Sequence, residues 1–80
     1  MMEMVRFTLF CRNRGSNIRM EFGKDDKIGD VDAAVREALG FDGFILRNGY
    51  SLLDPEQSVG SSISDGDVVD VIPDPEGFFK

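Results

Sequence analysis

Three carboxylates crowd one short stretch of the chain, Asp65-Gly66-Asp67-Val68-Val69-Asp70, and Asp54 lies a little upstream. Such a cluster could hold Ca²⁺, but a calcium loop spaces its ligands over twelve residues and closes with a glutamate. Neither feature is present, so these aspartates are expected to build turns and cap backbone N–H groups. Cys11 is the only cysteine and precedes Arg12 and Arg14, whose charge favours a thiolate. There is no histidine, the commonest general base at neutral pH, to serve such a thiol. One cysteine cannot hold an iron–sulfur cluster, which takes four ligands. No glycine-rich segment follows a strand and opens a helix, so a phosphate loop is not expected. The residues therefore point to no catalytic site, no metal and no cofactor, and the function is expected to be non-enzymatic.

The composition suits that reading. Eighty residues allow one domain with one modest core. At 41% hydrophobic and 30% charged, the chain is an ordinary globular one. A net charge of −6 opposes nonspecific binding to nucleic acid or an anionic membrane. The charge is uneven: Arg6, Arg12, Arg14 and Arg19 outnumber Glu3 and Glu21 over residues 1–22, making a basic edge on an acidic body. The single cysteine excludes an internal disulfide and fits a reducing compartment. No apolar run approaches the ~20 residues of a membrane span. The apolar stretch at 4–11 is short and lacks a basic leader, unlike a signal peptide. A cytoplasmic monomer is the expectation.

The elements that position these residues follow from periodicity. Val5, Phe7 and Leu9 alternate with Arg6, Thr8 and Phe10, and Ile18, Met20 and Phe22 alternate with Asn17, Arg19 and Glu21. The polar loop between them, with Gly15, makes the pair a hairpin. Asp25 or Asp26 is expected to cap a helix whose apolar stripe is Ile28, Val31, Val35 and Leu39. Gly40 is expected as its left-handed C-cap, with Phe41 folded back on the last turn. A third strand covers Phe44 to Arg47, and Asn48-Gly49 is expected to turn it into a short strand, Tyr50 to Leu52. Val59 and Ile63 read as anchors of a loop with a short helical turn. Asp65-Gly66-Asp67 turns the chain into a last strand, Val68 to Ile72, with Val69 and Val71 on one face. The order ββαβββ defines an α+β domain over residues 1–72, a mixed four- to five-stranded sheet on one helix, with strand one beside the last strand. Residues 73–80 are expected to form a flexible tail.

With that order, the chain resembles the ubiquitin-like β-grasp family from about Met4 to Ile72. The resemblance is carried by the opening hairpin, the helix start at Asp26-Lys27-Ile28-Gly29-Asp30-Val31, Leu46-Arg47-Asn48-Gly49-Tyr50-Ser51-Leu52, and Ile63 to Ile72. It implies a module that docks partner proteins on the sheet face opposite the helix, with Leu46, Asp70 and Ile72 at the matching positions. Alternation, with Ile45, Val69 and Val71 taken as facing the helix, places Phe44, Leu46, Val68, Asp70 and Ile72 on that outer face. Arg12 and Arg14 are a second expected contact. Asp70 departs from the family, where a neutral or basic group is usual. In the alternative arrangement Phe78 and Phe79 cover Phe44 and Leu46. Conjugated members and sulfur carriers end in Gly-Gly, whereas here Gly77 precedes Phe78-Phe79-Lys80. A covalent modifier would therefore require processing to Gly77.

Overall fold

The computed structural model describes residues 3–12, 14–40 and 43–73. Strand β1 (Met4–Cys11) and strand β2 (Ser16–Gly23) form an antiparallel hairpin in full register, from Met4 opposite Gly23 to Cys11 opposite Ser16. Helix α1 (Ile28–Leu39) follows, then strands β3 (Phe44–Asn48) and β4 (Ser51–Leu52), a one-turn helix α2 (Val59–Ser62), and strand β5 (Val68–Pro73). The sheet order is β2-β1-β5-β3-β4. The central pair, β1 and β5, is parallel, and the other pairings are antiparallel. The expected adjacency of first and last strands is therefore present, and the sheet has five strands.

One face of this sheet carries the core. Val5, Phe7, Leu9 and Cys11 from β1, Leu46 from β3, and Val69 and Val71 from β5 are buried against Ile28, Val31, Val35 and Leu39 of α1. Those four helical residues are the stripe that the sequence spacing predicts. Val59 and Ile63 bracket α2 and plug the end of the core, as expected of loop anchors. Burying each such side chain is worth about 1.5–3 kcal/mol. Cys11 is 0% exposed. Its place in the core, with no solvent access, corrects the expectation that neighbouring arginines activate it, because a thiolate nucleophile needs exposure.

The helix start differs from expectation. The N-cap is Lys27, in extended conformation, one to two residues beyond the predicted aspartates. A lysine side chain offers no acceptor, and the orphan N–H groups of the first turn find theirs in a distant loop. Ile28 N–H donates to the carbonyl of Gln57 and Gly29 N–H to that of Pro55, both at 2.9 Å. The Asp30 carboxylate accepts the Lys27 N–H at 3.3 Å. Asp26 closes the preceding turn, accepting Gly23 N–H at 2.8 Å. The helix ends at Gly40, with φ of 78°, the left-handed cap the sequence predicts. Phe41 lies outside the described residues.

The β3–β4 turn is also displaced. Asn48 is the last residue of β3 and pairs with Ser51, so the two turn residues are Gly49 and Tyr50. Only Gly49 takes positive φ, 63°, as a glycine-first two-residue hairpin requires. Asn48 turns inward instead, donating from Nδ2 to the Ser62 carbonyl at 2.9 Å and the Asp67 carboxylate at 3.0 Å. Strand β5 runs one residue past the expected boundary, with Pro73 opposite Phe44. Residues 74–80 of the expected tail, Gly77 included, lie outside the described residues. No helix among the described residues is long and apolar enough to cross a membrane.

Candidate functional site

Paired residues on neighbouring strands share a sheet face, so the register determines the composition of the outer one. Leu46 lies opposite Val71, and both are buried in the core. Phe44 lies opposite Pro73, half-buried and packed against the same core. The expectation that Phe44 and Leu46 face outward is therefore wrong, and Ile45 faces outward where it was expected to face the helix. The physical reason is the turn: a one-residue slip in register moves every side chain of a strand to the opposite face. Val68, Asp70 and Ile72 stand on the outer face as predicted, because the buried Val69 and Val71 fix the parity of β5.

Asp70 sits at the centre of that face. Phe10 of β1 is directly opposite it on one side and Arg47 of β3 on the other. Arg47 Nη2 donates to Asp70 Oδ2 at 3.2 Å. Along β5, Val68 is half-exposed beside Thr8, and Ile72 lies opposite Ile45. Phe10, Ile45, Val68 and Ile72 thus surround one ion pair. The pair is partly sheltered, with 35% of the Arg47 side chain and 22% of the Asp70 side chain exposed. Arg47 Nε is buried and has no hydrogen-bond partner among the described residues.

Three residues of this centre, Phe10, Ile45 and Arg47, escape sequence reasoning as site members. The signal for Phe10 is its parity with Arg6 and Thr8 on a strand that lies beside β5. Arg47 is predicted only as a strand residue, since its neighbours Phe44, Ile45 and Leu46 are all apolar and set no parity. Arg12 is exposed at the end of β1 and borders a depression of about 150 Å³ with Arg47, Asp70 and Ile72. Arg14 is engaged elsewhere: its Nη2 donates to the Leu39 carbonyl at 2.9 Å, at the C-terminus of α1, where a cation suits the helix dipole. The structure thus brings Arg12 to the face and ties Arg14 to the helix.

Farther along the same face, Arg6 pairs with Glu21 across the β1–β2 hairpin. The hydrogen bond to Glu21 and then its charge raise the Arg6 pKa above the ordinary guanidinium value. Arg19 stands opposite Thr8. Of the four aspartates considered as calcium ligands, Asp70 pairs with Arg47 and the other three accept backbone N–H groups. Asp65 Oδ1 accepts the Arg6 N–H at 2.8 Å, Asp67 Oδ2 accepts the Ser64 N–H at 2.8 Å, and Asp54 Oδ1 accepts the Glu56 N–H at 3.0 Å.

No family model and no curated protein matches the chain in sequence. Solved structures do match in shape. The chain superposes on a ubiquitin of Caldiarchaeum subterraneum with a TM-score of 0.80 at 18% identity, covering 94% of this chain and 99% of that one. It superposes on a de novo design based on ubiquitin with a TM-score of 0.78 at 12% identity, covering 96% of each. The fold is the ubiquitin-like β-grasp, an α+β sheet clasping one main helix.

Proposed function

We propose that this protein is a non-catalytic interaction module that docks a partner protein on its outer sheet face. The observation that carries this reading is the cluster of Phe10, Ile45, Val68 and Ile72 around Asp70, on the side of the sheet away from the helix. A solvent-washed face needs no such concentration of apolar side chains at its centre. The likeness to ubiquitin structures supports the same class of use, since that fold presents a flat sheet opposite its helix. The face is positioned by the most buried part of the molecule, because Val69 and Val71 anchor the strand that bears Val68, Asp70 and Ile72.

The test is partner capture from native extract with wild-type protein, Ile72→Asp and Phe10→Ala, each checked for an unchanged unfolding transition. Loss of one identified protein from both variants is the expected result. Its undiminished recovery by both folded variants would refute docking at this face. Substitution of Leu46 does not serve this purpose, because its side chain belongs to the core.

A second reading, a covalent modifier or sulfur carrier, has one observation in its favour: Gly77 follows the β-grasp domain in sequence, as a processed terminus requires. Intact mass of the protein from its native source separates the two. A chain ending at Gly77, or an isopeptide adduct, favours the modifier, and a chain ending at Lys80 with no adduct favours docking alone.

A further inference from the structure

The outer face differs from the rest of the protein in charge as well as in hydrophobicity. Its strands and the residue after β1 carry Arg6, Arg12, Arg19 and Arg47 against Glu21 and Asp70. The whole chain has nine basic and fifteen acidic side chains, so the rest of the sequence carries five basic and thirteen acidic. The face is +2 by count and the remainder −8. Both carboxylates of the face are already matched, Glu21 by Arg6 and Asp70 by Arg47. Among the described residues, neither Arg12 nor Arg19 has an ion-pair partner.

We propose that the docked partner presents an acidic segment, with an apolar side chain against Phe10 and Ile72 and a carboxylate placed between Arg12 and Arg47. This rests on the docking reading above and specifies its partner. Asp70 engages Arg47 through Nη2 alone, in place of the two-pronged contact a guanidinium can make. The buried Nε–H of Arg47 is left without an acceptor beside the depression that Arg12 borders. Covering this face with a neutral or basic segment would strip water from the Arg12 guanidinium with no charge to match it, which is costly. A carboxylate supplies the partner that Arg12 lacks, adds to the single contact that Arg47 makes with Asp70, and leaves Phe10 and Ile72 to bury apolar surface. Complementary charge of this kind also speeds encounter and selects the partner.

The probes are three synthetic peptides with a Leu-Phe centre flanked on each side by two glutamates, two glutamines or two lysines. Each is titrated into the full-length ¹⁵N-labelled protein at 50 mM salt and followed by backbone amide shifts. The glutamate peptide is expected to move the amides of Phe10, Arg12, Arg47, Asp70 and Ile72 and to bind about tenfold more tightly than the glutamine peptide. Raising salt to 500 mM should erase most of that difference, since exposed charges are then screened within about 4 Å. Arg12→Glu should abolish the preference without changing the unfolding midpoint, because Arg12 is exposed. Equal affinity of the glutamine peptide at the same amides overturns the acidic preference and leaves docking at this face standing. Shifts confined to α1 overturn both. Absence of binding by the glutamate peptide at millimolar concentration, or self-association of the protein through this face in sedimentation, overturns the acidic-segment proposal.

Discussion

The two faces of the central β1–β5 pair are built from alternate residues of the same two strands, yet they obey different rules. The inner face is uniformly apolar: Val5, Phe7, Leu9, Cys11, Val69 and Val71 are buried, with no polar side chain among them. The outer face mixes Phe10, Val68 and Ile72 with Arg6, Thr8 and Asp70, and its central carboxylate takes its counter-ion from the next strand. The inner face thus specifies which elements meet, through burial alone. The outer face adds charge to a smaller apolar patch, and charge discriminates between partners in a way that apolar area does not.

The strongest way to break this comparison is to exchange the roles of one residue from each face. Leu46→Ala removes a buried side chain and is expected to cost about 2–5 kcal/mol of stability. Ile72→Ala, on the outer face, is expected to cost about 1 kcal/mol or less. Urea unfolding midpoints of the two variants decide the matter, and comparable losses would mean that β3 is registered as the sequence alone suggests. Next in size is Cys11→Ser, which puts a hydroxyl in the apolar interior at a cost of about 1–3 kcal/mol. In the same vein, a thiol reagent should react with Cys11 slowly in buffer and rapidly in denaturant. Fast reaction of the folded protein would contradict the burial of that sulfur.

A finer test concerns the central ion pair. Asp70→Asn or Arg47→Met alone should cost about 1 kcal/mol, given the partial exposure of both side chains. The double variant should recover part of that loss, since removing both charges leaves neither unpaired. A double-mutant cycle with no coupling would show the pair to be incidental to the face. The smallest effect belongs to the exposed edge of the face: Arg6→Gln should leave the unfolding midpoint unchanged, although Arg6 is paired with Glu21. A clear shift there would mean that the hairpin depends on its surface charges.

Where polar residues mark one face, as Arg6 and Thr8 do in β1, Asn17, Arg19 and Glu21 in β2 and Asp70 in β5, the sequence reveals both the strand and its inward face. The helix stripe and the Val59 and Ile63 anchors are equally legible, since each is an apolar residue at a spacing only one element satisfies. In β3 the run Phe44-Ile45-Leu46 is apolar throughout, so the pattern identifies a strand and leaves its orientation undetermined. The orientation then hangs on the turn, where the Asn48-Gly49 pair suggests one register and Gly49-Tyr50 supplies the other. Asn48 is held in the strand by Ser62 and Asp67, contacts with residues far along the chain that no local pattern reveals. The candidate site inherits this limit: its β5 residues are legible, while Ile45 and Arg47 depend on the register of β3 and Phe10 on knowing which strand lies beside β5.

The acceptors for Ile28 and Gly29 come from residues 55–57. A helix whose first two N–H groups bond to carbonyls more than two dozen residues farther along the chain cannot be completed during early, local folding. Its first turn should close only when the later segment arrives. Deuterium uptake at those two amides would then report the opening of the 55–57 segment and not the fraying of the helix, which makes them a built-in gauge of how far folding has proceeded.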